Sequence, residues 1–183
     1  MAFAEKESVQ RVVAALEAAG LGNRVMELEK TARTAEDAAK AVGAELGQIV
    51  KSLAFRVGEQ TVLALVAGDH NCAEEALPRV FNLTGAVSKP QAQRVKDATG
   101  FTIGGVSPVG LTEPLPIVID ASLRRFQTLY VAAGHPHCLF SASFDELKRL
   151  TGGIVSYAIA KPLDPATVKM PGFLRSKTFR LKG

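Results

Sequence analysis

A lysine in the middle of an apolar strand is the first residue of this sequence that could do chemistry. Lys51 lies within the segment 49–57, and the alternation of side chains along a strand puts it on the same face as Leu53 and Phe55. An unpaired buried ammonium must find an anion, lower its pKa, or line a wet cavity. Two interpretations follow: a cavity for a negatively charged ligand, or a lysine that reaches past the sheet edge or pairs with a buried carboxylate.

A glycine-rich segment is the second candidate. Four glycines fall between Gly100 and Gly110, and glycine lets the backbone turn tightly and approach a ligand closely. Successive free N–H groups in such a segment can hold a carboxylate, a phosphate or a developing oxyanion. Ser107 adds a hydroxyl group, and Pro108 stiffens the chain. A plain irregular connection has the same composition, so the residues alone leave both interpretations open.

Histidines supply a third pattern. His135 and His137 share a face if their segment is a strand, and they could then chelate a metal with His70, Asp69 or a cysteine. A single histidine that acts as a donor or acceptor in the turn is the alternative. Asp69 and His70 follow the second apolar strand, where they either rim the Lys51 cavity or form a plain polar strand end.

Length and composition indicate one globular domain. The chain has 183 residues, of which 47% are hydrophobic and 22% charged, as is ordinary for a soluble protein. Trp is absent, which argues against an extensive stacking surface for nucleic acid. No apolar run approaches the length of a membrane span or signal peptide. We therefore expect a cytoplasmic protein in which Cys72 and Cys138 are free thiols that serve packing.

Positive charge is unevenly distributed. Residues 161–183 carry a net charge of +5 and residues 1–160 a net charge of −1. A basic extension on a nearly neutral body indicates contact with a polyanion, or else a solvated segment that aids solubility. Four further basic residues flank the helix before the glycine-rich segment, where they could contact phosphates or form a solvated face: Arg79, Lys89, Arg94 and Lys96.

Helices and strands are mixed along the chain. Helical spacing and capping residues predict helices over 7–19, 34–43, 74–81, 90–98 and 144–150. Alternation and turn residues predict strands over 25–29, 49–57, 61–67, 86–88, 116–120, 126–132, 138–141 and 154–159. Short turns between neighbouring strands favour antiparallel pairing, so the predicted fold class is α+β.

The order of these segments is more specific than any one of them. The lysine strand at 49–53, the segment 99–110, the strand 116–120 and the turn 133–135 together resemble the YbaK/EbsC family. That family includes the editing domain inserted in bacterial prolyl-tRNA synthetases and its free-standing relatives. The resemblance runs from about residue 25 to about residue 159.

The resemblance implies a fold and an activity. The fold is a curved, mixed, mostly antiparallel sheet surrounded by helices, with one editing domain over 1–160 and a basic extension over 161–183. The activity is trans-editing, in which an aminoacyl-tRNA deacylase hydrolyses the ester of a mischarged tRNA that carries a small amino acid. The implied partner is the acceptor end of tRNA, with an aminoacyl-tRNA synthetase as a possible second partner. Neither a metal nor a cofactor is expected.

The resemblance also implies the site residues. The family's lysine corresponds to Lys51, its Gly-x-x-x-Pro loop to 104–108, and its glycine–histidine turn to 134–135. The catalytic candidates are Lys51, Gly104, Gly105 and Ser107. The substrate-binding candidates are Ser52, Pro108, Gly134, His135, Asp69 and His70, and the tRNA-binding candidates are Arg79, Lys89, Arg94 and Lys96. The alternative functions are a non-catalytic tRNA- or synthetase-binding module of the same fold, and a metal-dependent hydrolase that uses His135 and His137.

Overall fold

The structure, a computed structural model, describes residues 2–164. The helices are α1 (Glu7–Ala18), α2 (Ala35–Val42), α3 (Leu77–Phe81), α4 (Ala92–Thr99) and α5 (Phe144–Thr151). The strands are β1 (Val25–Glu27), β2 (Ile49–Val57), β3 (Gln60–Ala67), β4 (His70–Cys72), β5 (Val87–Ser88), β6 (Ile117–Asp120), β7 (Leu129–His135), β8 (Cys138–Ala142), β9 (Ile154–Ser156) and β10 (Ala160–Pro162). Short 3-10 helices span Leu46–Gln48, Glu74–Ala76 and Ala121–Arg125.

The main sheet has the strand order β1-β8-β7-β2-β3-β6-β9, and β5 pairs with β2 beside this path. β4 and β10 form a separate antiparallel pair. The strand pairs β1–β8, β7–β8, β2–β3 and β2–β5 are antiparallel, whereas β2–β7, β3–β6 and β6–β9 are parallel. The sheet is therefore mixed and mostly antiparallel, as predicted.

β3 is an interior strand of the main sheet, next to the central strand β2. Every residue from Thr61 to Ala67 is buried, because helices cover both faces of the sheet at this strand. On one face the largest cluster contains Val9, Val12 and Leu16 of α1, packed with Leu63. The apolar spacing that predicts α1 therefore supplies the face that this helix buries.

The two faces of β2 contribute to different clusters. Val50 and Ala54 pack with the α1 cluster, while Phe55 and Val57 pack with a second cluster around α3. Ile49 packs with a third, smaller cluster around α2. This division confirms the predicted alternation along the strand.

Several details differ from the sequence prediction. The strand predicted over 126–132 is β7 at Leu129–His135, so the turn that follows lies at 136–137 rather than at 133–135, and the short strand β4 is an addition to the predicted strands. Short turns favoured antiparallel neighbours, but three strand pairs of the main sheet are parallel because distant strands insert beside β2, β3 and β6. The predicted strand 154–159 ends at Ser156, and a further strand, β10, follows it. Within residues 2–164, no helix has the length and apolar character that crossing a membrane requires.

Candidate active site

One edge of β2 lacks a strand partner over five residues. β2 pairs with β3 along Val50–Val57. On its other side it pairs with β7 only at its first two residues and with β5 only at its last two. Residues 51–55 border the glycine-rich segment there instead of a strand. We call this stretch the open edge of β2; within residues 2–164, no main-chain hydrogen bond from a turn or loop closes it.

A cavity of about 380 Å³ lies at the N-terminal end of the open edge. Four of the predicted site residues line it together: Lys51, Ser52, Gly104 and His135. The remaining walls come from the start of α2 and from β7 and β8, and they are mainly apolar. We call it the lysine cavity. The structure thus brings together residues that are up to 84 positions apart in the sequence.

Lys51 lies between two apolar clusters of the core. Ile49 on one side packs with the α2 cluster and Leu53 on the other with the α3 cluster. The Lys51 Nζ donates a hydrogen bond to the main-chain carbonyl of His70. Burial lowers the pKa of Lys51 below its usual 10.5, and nearby acidic groups offset only part of this effect. The ammonium is therefore held by a carbonyl oxygen rather than by a buried carboxylate.

Asp69 and His70 lie behind Lys51 and do not line the cavity. Asp69 accepts two hydrogen bonds from the guanidinium of Arg125, at 2.8 and 2.7 Å. Its Oδ1 also lies 2.7 Å from His70 Nδ1. Burial by itself would raise the pKa of Asp69, but the hydrogen bonds from Arg125 and His70 outweigh it and lower the pKa to about 2. The two residues therefore fix the turn that carries the carbonyl partner of Lys51.

The tip of the glycine-rich segment borders the lysine cavity. Ile103, Gly104 and Val106 line it. The Gly105 N–H donates to the Thr102 carbonyl at 3.0 Å and so closes a turn. The amides of Gly104 and Val106 have no hydrogen-bond partner among the described residues, which leaves them available to a ligand.

Ser107 and Pro108 do not line the lysine cavity. Ser107 is fully buried, and its Oγ accepts a hydrogen bond from the Val109 amide at 3.1 Å. Pro108 lines a different cavity, beside α1. The predicted direct contact with substrate finds no support in these positions, because Ser107 is buried within the segment and Pro108 borders another cavity.

The glycine-rich segment is in close contact with the end of β7, where Gly134 and His135 lie. A Cβ at Gly105 would lie 2.9 Å from both the amide nitrogen and the Cα of His135. Gly134 has a φ of +92°, and a Cβ there would lie 2.6 Å from the main-chain oxygen of Ser8 in α1. Because main-chain atoms cannot move aside cheaply, the contact with His135 requires glycine at 105 and the contact with α1 requires glycine at 134.

The ring of His135 forms one wall of the lysine cavity. Its Nδ1 accepts a hydrogen bond from the His137 amide at 3.1 Å, which places the proton of the neutral ring on Nε2. Phe3 stacks on the ring with a centroid distance of 4.4 Å. Burial lowers the pKa of His135, with further contributions from the charges of Lys6 and His137. His135 is therefore a neutral donor at pH 7.

His137 has a structural role. Its Nδ1 lies 3.1 Å from the carbonyl oxygen of Leu28, and its Nε2 is hydrogen-bonded to the hydroxyl of Thr31. Both ring nitrogens are therefore occupied, which leaves none for the metal site proposed from the His135–His137 spacing. In the part of the chain that the structure describes, no three His, Cys, Asp or Glu side chains cluster as metal ligands.

The hydroxyl of Ser52 is buried at the open edge. Its Oγ has no hydrogen-bond partner among the described residues, although an unsatisfied buried hydroxyl is unfavourable. Ser52 borders the lysine cavity and also a second cavity further along β2. A ligand in either cavity could satisfy this group.

The four predicted tRNA contacts have different environments. Arg94 donates to the Glu59 carbonyl at 2.7 Å and thereby holds α4 against the turn after β2. Lys96 Nζ lies 3.3 Å from the Gly100 carbonyl at the end of the same helix. Arg79 and Lys89 are exposed and make no ion pair with any residue from 2 to 164. Lys89 also lines the second cavity, which brings it nearest to the open edge.

Two residues of the site carry no recognisable signal in the sequence. Arg125 ends a 3-10 helix and is 56 positions from Asp69. Phe3 precedes α1, and its ring stacks on those of both His135 and His137. Only tertiary contact reveals either role. The basic extension predicted over 161–183 lies outside the described residues beyond position 164, whereas Ala160–Pro162 pair with β4.

Comparison with known proteins agrees with this arrangement. Residues 29–150 match the aminoacyl-tRNA editing domain family. The uncharacterized protein YwhH of Bacillus subtilis (strain 168) is 35% identical over 130 residues, which cover 70% of this chain and 82% of YwhH. A proline–tRNA ligase of Desulforamulus reducens is 34% identical over 126 residues. That match covers 64% of this chain but only 21% of the ligase.

A solved structure shares the fold. The crystal structure of a candidate trans-editing enzyme for prolyl tRNA synthetase superposes with a TM-score of 0.78 at 40% sequence identity. The superposition covers 85% of this chain and 98% of that one. Sequence and structure therefore both confirm the resemblance inferred from the lysine strand and the glycine-rich segment. This chain belongs to the aminoacyl-tRNA editing domain family.

Proposed function

We propose that this protein is a trans-editing deacylase that hydrolyses the ester between a small amino acid and the terminal ribose of a mischarged tRNA. The observation that carries the proposal is the lysine cavity itself. In a chain of the editing family, it is lined together by Lys51, the tip of the glycine-rich segment and His135. The match to a proline–tRNA ligase and to a candidate trans-editing enzyme supports tRNA charged by prolyl-tRNA synthetase as the substrate.

Lys51 supplies positive charge at the open edge. Its ammonium holds a phosphate or ribose oxygen of the tRNA end and stabilises negative charge that develops during hydrolysis. The hydrogen bond to the His70 carbonyl keeps Nζ in one place before substrate binds. Such preorganisation avoids the cost of orienting a flexible side chain at the moment of reaction.

The free amides of the glycine-rich segment polarise the ester. Gly104 and Val106 lie at the tip that borders the cavity, and their N–H groups are the donors that this proposal assigns to the carbonyl oxygen. Gly105 contributes by its close packing on His135 rather than by its amide, which already donates to Thr102.

His135 limits the size of the side chain that can enter. As a neutral donor stacked against Phe3, it is a fixed wall rather than a movable one. Editing is needed because one methylene changes binding by only about 1–3 kcal/mol, which is too little for accurate charging. A wall of fixed position rejects larger, correctly charged amino acids by steric exclusion.

The attacking water has no carboxylate partner in the described lining of the lysine cavity. We infer that the substrate itself orients this water through the free hydroxyl of its terminal ribose. The water oxygen bonds to the ester carbon, the bond to the ribose oxygen breaks, and a proton passes to that oxygen. Positioning is sufficient for this reaction because the aminoacyl ester is already labile.

The test is a deacylation screen. Wild type, Lys51→Ala and the control Lys148→Ala, at an exposed lysine of α5, are incubated with tRNA that carries Ala, Ser, Thr or Cys, and release of the amino acid is followed. We expect at least one substrate to be hydrolysed by wild type and Lys148→Ala, and a rate at least tenfold lower for Lys51→Ala, as removal of one electrostatic contact typically costs. Salt-sensitive binding of tRNA without any turnover would instead indicate a non-catalytic binding module.

A further inference from the structure

The open edge of β2 borders two cavities, and only the first is used by the proposed chemistry. The second has a volume of about 230 Å³ and lies at the C-terminal end of the edge, against Ala54 and Phe55. Ser52, Ile103 and Gly104 belong to the walls of both cavities. The two cavities therefore adjoin at the tip of the glycine-rich segment.

The walls of the second cavity combine apolar faces with an unsatisfied polar edge. Phe55 and Val95 are buried apolar residues, and Ile103 is 61% exposed at the shared ridge. Along an unpaired strand edge, alternate residues direct N–H and C=O groups outward, and no main-chain bond from the described turns and loops uses those of residues 51–55. This edge is half-buried along 51–54 and buried at Phe55, so a ligand that displaces water from it must supply polar partners.

A flat group with apolar faces and a polar rim matches these walls. A nucleobase has this character: its faces make apolar contacts, and its edge offers donors and acceptors to a main chain. An added peptide strand would need a long open groove, whereas this recess is short and covered by Ile103 and Gly104. Lys89, which is exposed at the rim, adds positive charge suited to a phosphate.

We propose that the second cavity is a nucleobase site that holds the terminal base of the substrate while the aminoacyl group occupies the lysine cavity. This inference rests on the proposed function and adds the places where the base, the ribose and the phosphate of the substrate lie. The ribose then lies at the divide between the cavities, where the Ser52 hydroxyl is buried without a partner among the described residues. Lys89 meets the phosphate that leads to the rest of the strand.

The experiment uses adenosine 5′-monophosphate as the probe and ribose 5-phosphate as its base-free control. Amide chemical shifts of the full-length protein are followed during titration with each compound. We expect the adenosine nucleotide to shift the amides of Ala54, Phe55 and Val95, and ribose 5-phosphate to leave them unchanged. Shifts confined to the lysine cavity, or equal effects of both compounds, would overturn the proposal.

Two matched variants test the charge at the rim. Lys89→Ala should weaken nucleotide binding about five- to tenfold, as expected for loss of one phosphate contact, while Lys148→Ala, at an exposed lysine of α5 that lines neither cavity, should leave it within about twofold. Equal affinities for the two variants would count against the site. The titration requires no turnover, so it separates the two proposals. Nucleotide bound here by a protein that hydrolyses no ester refutes deacylation alone, whereas turnover without shifts at Ala54 and Phe55 refutes the base site alone.

Discussion

Arg125 grips the carboxylate of Asp69 with two hydrogen bonds, at 2.8 and 2.7 Å, although 56 residues separate the two in the sequence. Asp69 also holds the ring of His70, whose main-chain carbonyl accepts the hydrogen bond from Lys51. The position of the lysine in its cavity therefore depends on an ion pair outside that cavity. This relationship links the stability of one turn to the geometry of the site.

Replacement of Arg125 should produce a pH-dependent loss of stability. The pKa of Asp69 is lowered from 3.8 to about 2 in the folded protein, so its ionised form stabilises the fold above about pH 4, and this stabilisation is lost as the pH falls through about 2. Because both side chains are partly exposed, we expect Arg125→Met to lower the free energy of unfolding at pH 7 by only about 0.5–1 kcal/mol.

Urea unfolding at pH 7 and at pH 2 measures this effect. The difference between wild type and Arg125→Met should shrink at pH 2, where about half of Asp69 is protonated in the folded wild type and nearly all of it in the unfolded chain. Arg124→Met is the control, because Arg124 packs over the ring of Phe144 and does not contact Asp69. An effect of Arg125→Met that is independent of pH would show that the ion pair does not cause it.

Replacement of Lys51 by methionine should stabilise the protein while it removes the proposed activity. Burial lowers the pKa of Lys51 below 10.5, which means that the charged form is disfavoured in the folded state. An apolar side chain of similar length avoids this cost, and we expect a gain of about 1 kcal/mol in the free energy of unfolding at pH 7.

The sign of this effect can be checked by its pH dependence. As the pH rises through the lowered pKa of Lys51 towards 10.5, the folded wild type loses the cost of burying a charged ammonium. The difference in free energy of unfolding between wild type and Lys51→Met should therefore become smaller by pH 10. Lys96→Met, at an exposed lysine, should leave stability unchanged within about 0.5 kcal/mol. Destabilisation by Lys51→Met at pH 7 would contradict the expectation.

A methyl group at Gly105 should push the glycine-rich segment away from the end of β7 at His135. The added Cβ would lie 2.9 Å from main-chain atoms of His135, and we expect Gly105→Ala to lower the free energy of unfolding by about 1–3 kcal/mol, as overpacking does. Gly22→Ala measures backbone strain without a contact, since φ there is +68° and its Cβ meets nothing within 4 Å. Thermal unfolding measures both variants, and a loss below about 0.5 kcal/mol at Gly105 would disprove the contact.

Removal of the Phe3 ring should raise the pKa of His135. Burial is the main cause of the lowered pKa, and Phe3 covers one face of the imidazole at 4.4 Å. Titration of the His135 ring protons by NMR should show that the pKa of His135 in Phe3→Ala lies closer to the ordinary 6.5 than it does in wild type. Phe3→Tyr keeps the stack and should leave the pKa near that of wild type, so equal shifts in both variants would rule out this cause.

Local patterns in the sequence determined most of the elements. The apolar spacing in α1 and the alternation along β2 are properties of consecutive residues, so they predict both the elements and the faces that these elements bury. The position of Lys51 on the bulky face followed from the same alternation. The juxtaposition of Lys51, Gly104 and His135 was available only through the family resemblance, because no local rule joins segments this far apart.

The tertiary structure decided which groups are free to act. β2 has an open edge because β7 leaves it after two paired residues and β5 joins it only at the far end. Likewise, Ser107 faces the interior, while Arg125 reaches Asp69 across the fold. Strand neighbours and ion pairs depend on the three-dimensional path of the whole chain, and local propensity does not encode them. The sequence by itself determined which elements form, and only the packing of distant segments determined the cavities between them.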